Sequence, residues 1–325
     1  DITRAFRHYH LFGFTGTPIF AENASSSGKA NLRTTEQAFG DQLHSYTIVD
    51  AIRDKPVLPF RVDYLNSFRV RDGIDNHDVE GIDTDSAYMN PQRISAVVSY
   101  ILEHFDQKTK RHASFQYKER RVNGFNSLFA TSSIKAARAY YQEFKRQQAD
   151  LPEARRLSVG IIYSYAPNAE APGTGLLSEE SMDPSALSQD DRAFLDEAIA
   201  DYNQQFGASF GTDASGFEGY YTSLSTALAE RRIDLVIVVD MFLTGFDSKS
   251  LNTLWVDKNL RAHGLIQAFS RTNRILNSVK TFGNIVCFRN LEEATNDAIA
   301  LFGNKEARGQ VLLRPYGEYL STYLE

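Results

Sequence analysis

Residues 233–275 read IDLVIVVDMFLTGFDSKSLNTLWVDKNLRAHGLIQAFSRTNRI. The apolar run from Leu235 to Val239 reads as a short strand buried on both faces. A Thr244-Gly245-Phe246-Asp247 turn follows, and then a second short strand over 253–257. Next comes a predicted helix carrying Gln267, Arg271 and Arg274, with Leu265, Ile266, Phe269 and Ile275 available to dock it. On one continuous helix, offsets of four and three place Gln267, Arg271 and Arg274 on a shared face. Two guanidiniums on one face, beside a strand-end turn, suit a polyphosphate.

Strands and helices alternate outward from this block. A helix is expected over 2–9, then a strand over 11–15 ending in Gly16-Thr17-Pro18. Residues 21–35 are small and polar and read as a loop or linker. Helical spacing recurs over 36–46 and 47–54, and 57–64 alternates as a strand does. Residues 72–85 carry six acids and no Lys or Arg, an exposed acidic loop. Ile94, Val97, Val98, Ile101, Leu102 and Phe105 repeat at helical spacing over 91–105. A strand over 126–130, a helix over 134–148 and a strand over 159–165 come next. Residues 166–191 are rich in Pro, Gly, Ser and acids and read as a surface insertion. Helices over 192–206 and 220–231 precede the quoted stretch; a strand over 283–288 and a helix over 291–302 follow it. Such alternation implies a parallel sheet flanked by helices, an α/β fold.

At 325 residues and 42% hydrophobic, the chain can bury one large core, or one domain and part of another. A formal net charge of −6 argues against a generally basic coat for nucleic acid, while leaving room for a local basic groove. The single cysteine, Cys287, excludes an internal disulfide and a Cys-rich zinc site, and reads as a buried thiol. The start, Asp1-Ile2-Thr3-Arg4, is polar and charged, and no apolar run is long enough to span a bilayer. A cytoplasmic protein without membrane contact fits. The chain has no initiator methionine and is expected to be a fragment of a longer polypeptide.

The order of these blocks resembles motifs V and VI of superfamily 2 helicases. Phe242-Leu243-Thr244-Gly245-Phe246-Asp247, Val256-Asp257-Lys258-Asn259-Leu260 and Gln267-Ala268-Phe269-Ser270-Arg271-Thr272-Asn273-Arg274 look like the motor of the restriction (R) subunit of type I restriction-modification enzymes. Upstream, Leu11-Phe12-Gly13-Phe14-Thr15-Gly16-Thr17-Pro18-Ile19-Phe20 looks like motif III of that motor. Phe39-Gly40, Leu43-His44-Ser45-Tyr46, Asp50-Ala51-Ile52, residues 126–132 and Cys287-Phe288-Arg289-Asn290-Leu291 continue the pattern. Many superfamily 2 helicases carry glycines where this chain has Ser270 and Asn273, a variation that type I subunits share.

The resemblance implies a RecA-like second motor lobe over 51–290. The end of the first lobe and the interlobe linker would occupy 1–50, and a further helical region would begin at 291–325. It implies that Arg271 and Arg274 are catalytic, reaching the γ-phosphate of ATP. Gln267, Gly245, Asp247, Gly16 and Thr17 would serve the nucleotide, with Thr15-Gly16-Thr17-Pro18 coupling its state to the grip on DNA. Thr244, Thr131 and Ser132 would meet DNA phosphates. The implied cofactors are ATP and Mg²⁺. The implied partners are double-stranded DNA and the methylation (M) and specificity (S) subunits.

Each residue also has an ordinary reading. Surface arginines are common, Asp247 can cap a helix, and Gly and Pro make ordinary turns. Thr131, Ser132 and Ser133 can simply begin the next helix. Lys108, Lys110, Arg111, Lys118, Arg120 and Arg121 cluster with Phe115 and Tyr117 between them. Such a run is either a backbone-binding patch or a solvated face. Ser27-Gly28-Lys29-Ala30 is not a Walker A loop, because Asn23 and Ala30 break the pattern. His8 and His10 lack partners at ligand spacing, so no metal site is expected. With neither a GxxxxGK[ST] loop nor a nuclease motif, the fragment alone is expected to be inactive. Two other readings remain open: another superfamily 2 motor, such as a type III restriction translocase or repair helicase, and a non-catalytic DNA- or protein-binding module.

Overall fold

Leu235–Val238 (β6) and Leu251–Asp257 (β7) are buried at every position. Strands so enclosed need partners on both edges and helices on both faces. The computed structural model describes residues 8, 10, 12–15, 18–20, 34–65, 87–163, 187–302 and 311–313. In that part of the chain β6 and β7 lie in a six-stranded, all-parallel sheet of order β1-β8-β7-β4-β6-β5. The other strands are β1 (Phe60–Tyr64), β4 (Asn126–Thr131), β5 (Val159–Ile162) and β8 (Gly283–Cys287). All strands run the same way, so the sheet has an amino edge, where strands begin, and a carboxyl edge, where they end. At the carboxyl edge Thr131 is in register with Asp257, and Val256 with Cys287.

The helices begin where the sequence offers caps. Asn90 accepts from Gln92 N at 2.8 Å ahead of α3 (Pro91–Lys108), with proline in the first turn. Ser133 accepts from Ala136 N at 3.1 Å to start α4 (Ile134–Gln148), and Ser188 from Asp191 N at 3.1 Å to start α5 (Gln189–Phe206). Asp213 accepts from Gly216 N at 3.0 Å and starts α6 (Ala214–Ala229) six residues ahead of the expected Tyr220. Two short helices, α1 (Thr35–Phe39) and α2 (Ile48–Arg53), each carry a capping box. Gly40, at φ 85°, stops α1, so the helical spacing over 36–46 is realised only in its first part. After β7 come α7 (Ala262–Phe269) and, beyond β8, α8 (Glu292–Phe302).

Phe129 in β4 meets Tyr140 and Phe144 of α4 and also Phe288, with ring centroids 4.7, 6.5 and 6.2 Å away. Fully burying each such ring contributes about 1.5–3 kcal/mol. Ala298, Ile299 and Phe302 of α8 join the same core as Leu265 and Phe269 of α7. Phe20 lies 6.3 Å from Phe302, and Pro18 O accepts from or pairs with His263 Nε2 at 2.7 Å, so residues 18–20 dock on α7 and α8.

Several expectations change. Residues 118–119, inside the basic cluster, turn a small hairpin, β2 (Ser114–Tyr117) against β3 (Arg120–Asn123). The strand expected over 57–64 begins at Phe60, and Val57 forms an isolated bridge to Arg274. Residues 12–15 lie in no strand, and Ile275 is 41% exposed rather than docked. Cys287 is buried, and burial pushes its thiol pKa up. The acidic loop over 72–85, most of the 2–9 helix, the 21–33 part of the linker and the 166–186 part of the insertion fall outside the described residues, as do Gly16 and Thr17.

Candidate functional site

The predicted arginine helix is shorter than its spacing suggested. α7 ends at Phe269 and is capped by Ser270, so Arg271 and Arg274 lie on the return segment 270–282 that leads into β8. A shared helical face therefore does not hold them. Backbone hydrogen bonds do: Leu58 N donates to Asn273 O at 2.9 Å, and Gly283 N to Pro59 O at 2.9 Å. Thr272 is fully buried and its hydroxyl donates to Phe269 O at 2.8 Å. These contacts put both arginines at the amino edge of β1 and β8.

The Thr244–Asp247 turn reaches the same place. The chain leaves β6 at the carboxyl edge and must return to the amino edge to begin β7. On the way Phe242 and Gly245 adopt positive φ, 67° and 69°. Phe242 is held there by packing 5.2 Å from Tyr221 and 4.9 Å from Phe246. Arg271 donates from Nε to Gln267 O at 3.1 Å and from its amino end to Phe246 O. Arg274 Nε lies 2.9 Å from Asp247 Oδ1. Gln267, Arg271, Arg274, Gly245 and Asp247 are thus brought together, although the rule that places ligands at strand carboxyl ends does not locate them. The Arg274–Asp247 pair is open, its side chains 42% and 64% exposed. Exposed pairs of this kind contribute about 0–1 kcal/mol.

Behind them lies Lys280, which the sequence reading did not single out. It is 1% exposed and donates to Lys249 O at 3.0 Å and Leu251 O at 2.6 Å. Burial pushes its pKa down to about 7; Asp247 opposes that shift and Arg274 adds to it. Asn277 Oδ1 accepts from Val279 N and Lys280 N, both at 3.1 Å, and shapes the turn that delivers the lysine.

The carboxyl edge holds a second charged group. Asp257 closes β7 and accepts two bonds from Arg93 at 2.6 and 2.9 Å, one from Tyr140 at 2.6 Å and one from Arg289 Nε at 3.1 Å. Burial pushes the Asp257 carboxyl up, but the bond from Arg93 and the charges of Arg289 and Arg93 outweigh it and hold its pKa low. Thr131, beside it, is fully buried and its hydroxyl donates to Val238 O at 3.0 Å. Ser132 is half-buried and precedes the α4 cap. Lys258 pairs with Asp240 at 2.7 Å. Sequence reasoning missed Arg93, Tyr140 and Arg289 because their shared partner is 164, 117 and 32 residues away. The available signal was an arginine inside an otherwise apolar helix face.

The basic cluster is not a free patch. Lys108 is 8% exposed and pairs with Asp63. Lys110 donates to Val279 O at 2.7 Å, and Arg111 binds both oxygens of Asp234 at 3.0 and 3.1 Å. Lys118 pairs with Glu230 at 3.2 Å, Arg120 donates to Glu230 O, and Arg121 to Ser114 Oγ at 2.7 Å. Lys108, Lys110 and Arg111 lie at the amino edge, with the strand ordering Thr131 and Ser132 at the carboxyl edge. The two sets of candidate DNA contacts therefore lie at opposite edges of the sheet. The charge run was legible in the sequence, but its acidic partners were not.

The Type I restriction enzyme subunit R domain 3 family (T1R_D3-like) matches residues 123–290, which hold all of β4 to β8 and both charged groups except Arg93. The chain belongs to the type I restriction enzyme R subunit family. The SWI2/SNF2 ATPase family matches residues 1–92. Among relatives of this R subunit family, the SauMRSORF196P endonuclease subunit of Staphylococcus aureus (strain MRSA252) is 38% identical over 100% of this chain and 32% of its own length. The SsaAORF53P endonuclease subunit of Staphylococcus saprophyticus is 39% identical over the same shares. The HindI endonuclease subunit of Haemophilus influenzae is 23% identical over 93% of this chain and 25% of its own. The chain spans about a third of the length of the first two relatives. Its six-stranded parallel sheet flanked by helices is an α/β fold, and the ATPase match takes in the first strand of that sheet. No helix among the described residues is long and apolar enough to cross a membrane.

Proposed function

We propose that this chain is the motor part of a type I R subunit, using ATP to translocate double-stranded DNA in coupling with restriction. The observation that carries the proposal is the meeting of two distant segments. Arg271 binds Phe246 O and Arg274 pairs with Asp247, so the turn after β6 and the segment after α7 form one cationic feature. In this reading residues 1–50 are the end of a first lobe and its linker, 51–290 the second lobe, and 291–325 the start of a helical region.

The residues present fit a phosphate group. Arg274 has one exposed, weak partner, and a triphosphate competes well for such a guanidinium. Bound ATP supplies a phosphoryl group whose transfer to water concentrates charge on its oxygens. Arg274 and Arg271 stabilise that charge as arginine fingers, an effect worth about 10³–10⁵ in rate. Asp247 holds Arg274 in place until the phosphate arrives, Gln267 anchors Arg271 through its carbonyl, and Gly245 lets the turn close. Thr15, Gly16 and Thr17 couple nucleotide state to the grip on DNA. Among the described residues no group of His, Cys, Asp or Glu is suited to hold a metal ion. No step here runs through Mg²⁺, which in this reading arrives with the nucleotide and is held mainly by other parts of the full subunit.

Ser132 and the backbone around Thr131 are DNA contacts at the carboxyl edge in this proposal, and Thr244 is a separate contact on the turn that leads back to the amino edge. Lys108, Lys110 and Arg111 are not contacts, because internal carboxylates and carbonyls occupy them. M and S subunits anchor the motor and read the site, and the complex works in the cytoplasm. The test is DNA-stimulated ATPase of the full R subunit, wild type against Arg274→Ala, with duplex binding in parallel. A loss of about 10³-fold or more in kcat with DNA affinity retained supports the reading. Unchanged hydrolysis would sink the arginine assignment, and absence of hydrolysis in both proteins would favour a binding module.

A further inference from the structure

The Asp257 group is unbalanced in charge. Two guanidiniums, Arg93 and Arg289, share one carboxylate. Tyr140 adds no second negative charge, since burial pushes its hydroxyl pKa up. Arg93 is well satisfied: its amino groups reach both Asp257 oxygens, Phe288 O at 3.1 Å, Tyr140 at 3.1 Å and Tyr88 O at 3.2 Å. Arg289 is not. Its Nε donates to Asp257 and its guanidinium lies 3.9 Å from the centroid of the Tyr88 ring. Among the described residues its two amino groups meet no acceptor, although the side chain is only 6% exposed.

This guanidinium is held on its enclosed side by Asp257 and Tyr88, and its amino ends, which meet no protein acceptor among the described residues, keep the little surface it leaves open, with a positive charge in surplus. The ring beneath it and the carboxylate at its Nε fix its plane and leave the forked end presented. That geometry receives a tetrahedral oxyanion through two parallel N–H bonds. Its place in the sheet says which oxyanion. Arg289 follows β8 by two residues, Asp257 ends β7, and Thr131, in register with Asp257, ends β4. Arg289 therefore stands in one row with Thr131 and Ser132 at the carboxyl edge, away from Arg271 and Arg274 at the amino edge.

We propose that Arg289, oriented by Tyr88 and Asp257, is a receptor for a phosphate of the DNA backbone at the carboxyl edge of the sheet. The proposal rests on the DNA-motor reading for the source of the phosphate, and on the local geometry alone for the oxyanion. Arg93 is the positioning residue: it neutralises Asp257 so that Arg289 keeps its charge for the ligand.

The test uses the full R subunit with Arg289→Gln and Arg289→Lys, each measured at a temperature well below its own unfolding midpoint so that the protein is folded. Affinity for non-specific duplex is measured over a salt series, and inorganic pyrophosphate binding by calorimetry. Losing one phosphate contact lowers the slope of log K against log salt by about 0.9. The expected result is that drop in Arg289→Gln, with the slope restored in Arg289→Lys and nucleotide affinity unchanged. A purely structural arginine would leave the slope alone. Wild-type and Gln proteins with the same slope and the same pyrophosphate binding would overturn the proposal. Pyrophosphate binding lost in the Gln variant with an unaltered DNA slope would overturn the DNA source and assign the site to a free polyphosphate. If wild type binds no duplex, the motor reading fails, and the pyrophosphate arm alone decides whether the oxyanion receptor stands.

Discussion

Guanidinium–carboxylate contacts of similar length stand at opposite edges of one sheet, one at the amino edge and two at the carboxyl edge. Arg274 meets Asp247 at 2.9 Å in the open, with side chains 42% and 64% exposed. Arg93 and Arg289 meet Asp257 at 2.6 and 3.1 Å, with every side chain at 6% exposure or less. Distance does not separate them; solvent does. The open pair is weakly held and can exchange partners, as the proposed nucleotide contact of Arg274 requires. The buried cluster cannot exchange its carboxylate without stranding charge, which suits a fixed platform.

The sharpest way to break this contrast is to remove each carboxylate. Asp257→Ala strands two buried guanidiniums and is expected to cost about 3–5 kcal/mol, whereas Asp247→Ala costs under about 1 kcal/mol. Urea unfolding of both variants checks this, and similar losses would dissolve the contrast. A smaller effect probes how firmly the amino edge is built beneath its loose surface. A Cβ placed on Gly283 would lie 2.2 Å from the Thr272 hydroxyl and 3.2 Å from Phe60. Gly283→Ala should therefore cost about 1–3 kcal/mol by overpacking and displace the segment bearing Arg271 and Arg274. A neutral substitution would show that segment to be adaptable.

The third probe is pH. Lys280 holds its proton less firmly in the folded chain, at about pH 7, than a free lysine does. Below that pH both states are protonated and the full cost of burying the charge is present. Between about pH 7 and the ordinary lysine range the unfolded chain carries the extra proton, so stability rises with pH. The slope is at most ~1.4 kcal/mol per pH unit. Lys280→Met should flatten that rise in stability measured from pH to pH, whatever its effect on stability itself. An identical slope in both proteins would show that Lys280 does not titrate there.

Much of the sheet could be read from the chain because its signal is local. Leu235–Val238 and Asn126–Thr131 are enclosed on all sides, and Ser133 marks where the helix after Asn126–Thr131 starts. The Gln267, Arg271 and Arg274 spacing was also local, but it was read as one helix. α7 stops at Phe269, where the buried Thr272 bonds back to Phe269 O and the chain turns to pair with residues 57–59. Tertiary pairing overrode helical periodicity there. Buried ionic groups were the least legible. Nothing near Asp257 in sequence announces Arg93, and nothing near Lys108 announces Asp63. The same isolation made a satisfied basic run resemble a free one.

The bridge between Val57 and Arg274 has a mechanical corollary. The chain entering the sheet from the amino-terminal side is tied, through Leu58 N and Asn273 O, to the residue next to that arginine. Tension on the incoming strand therefore arrives at the backbone of Arg274 after a single peptide, which makes that segment the place where a pull on the chain ahead of β1 is first felt.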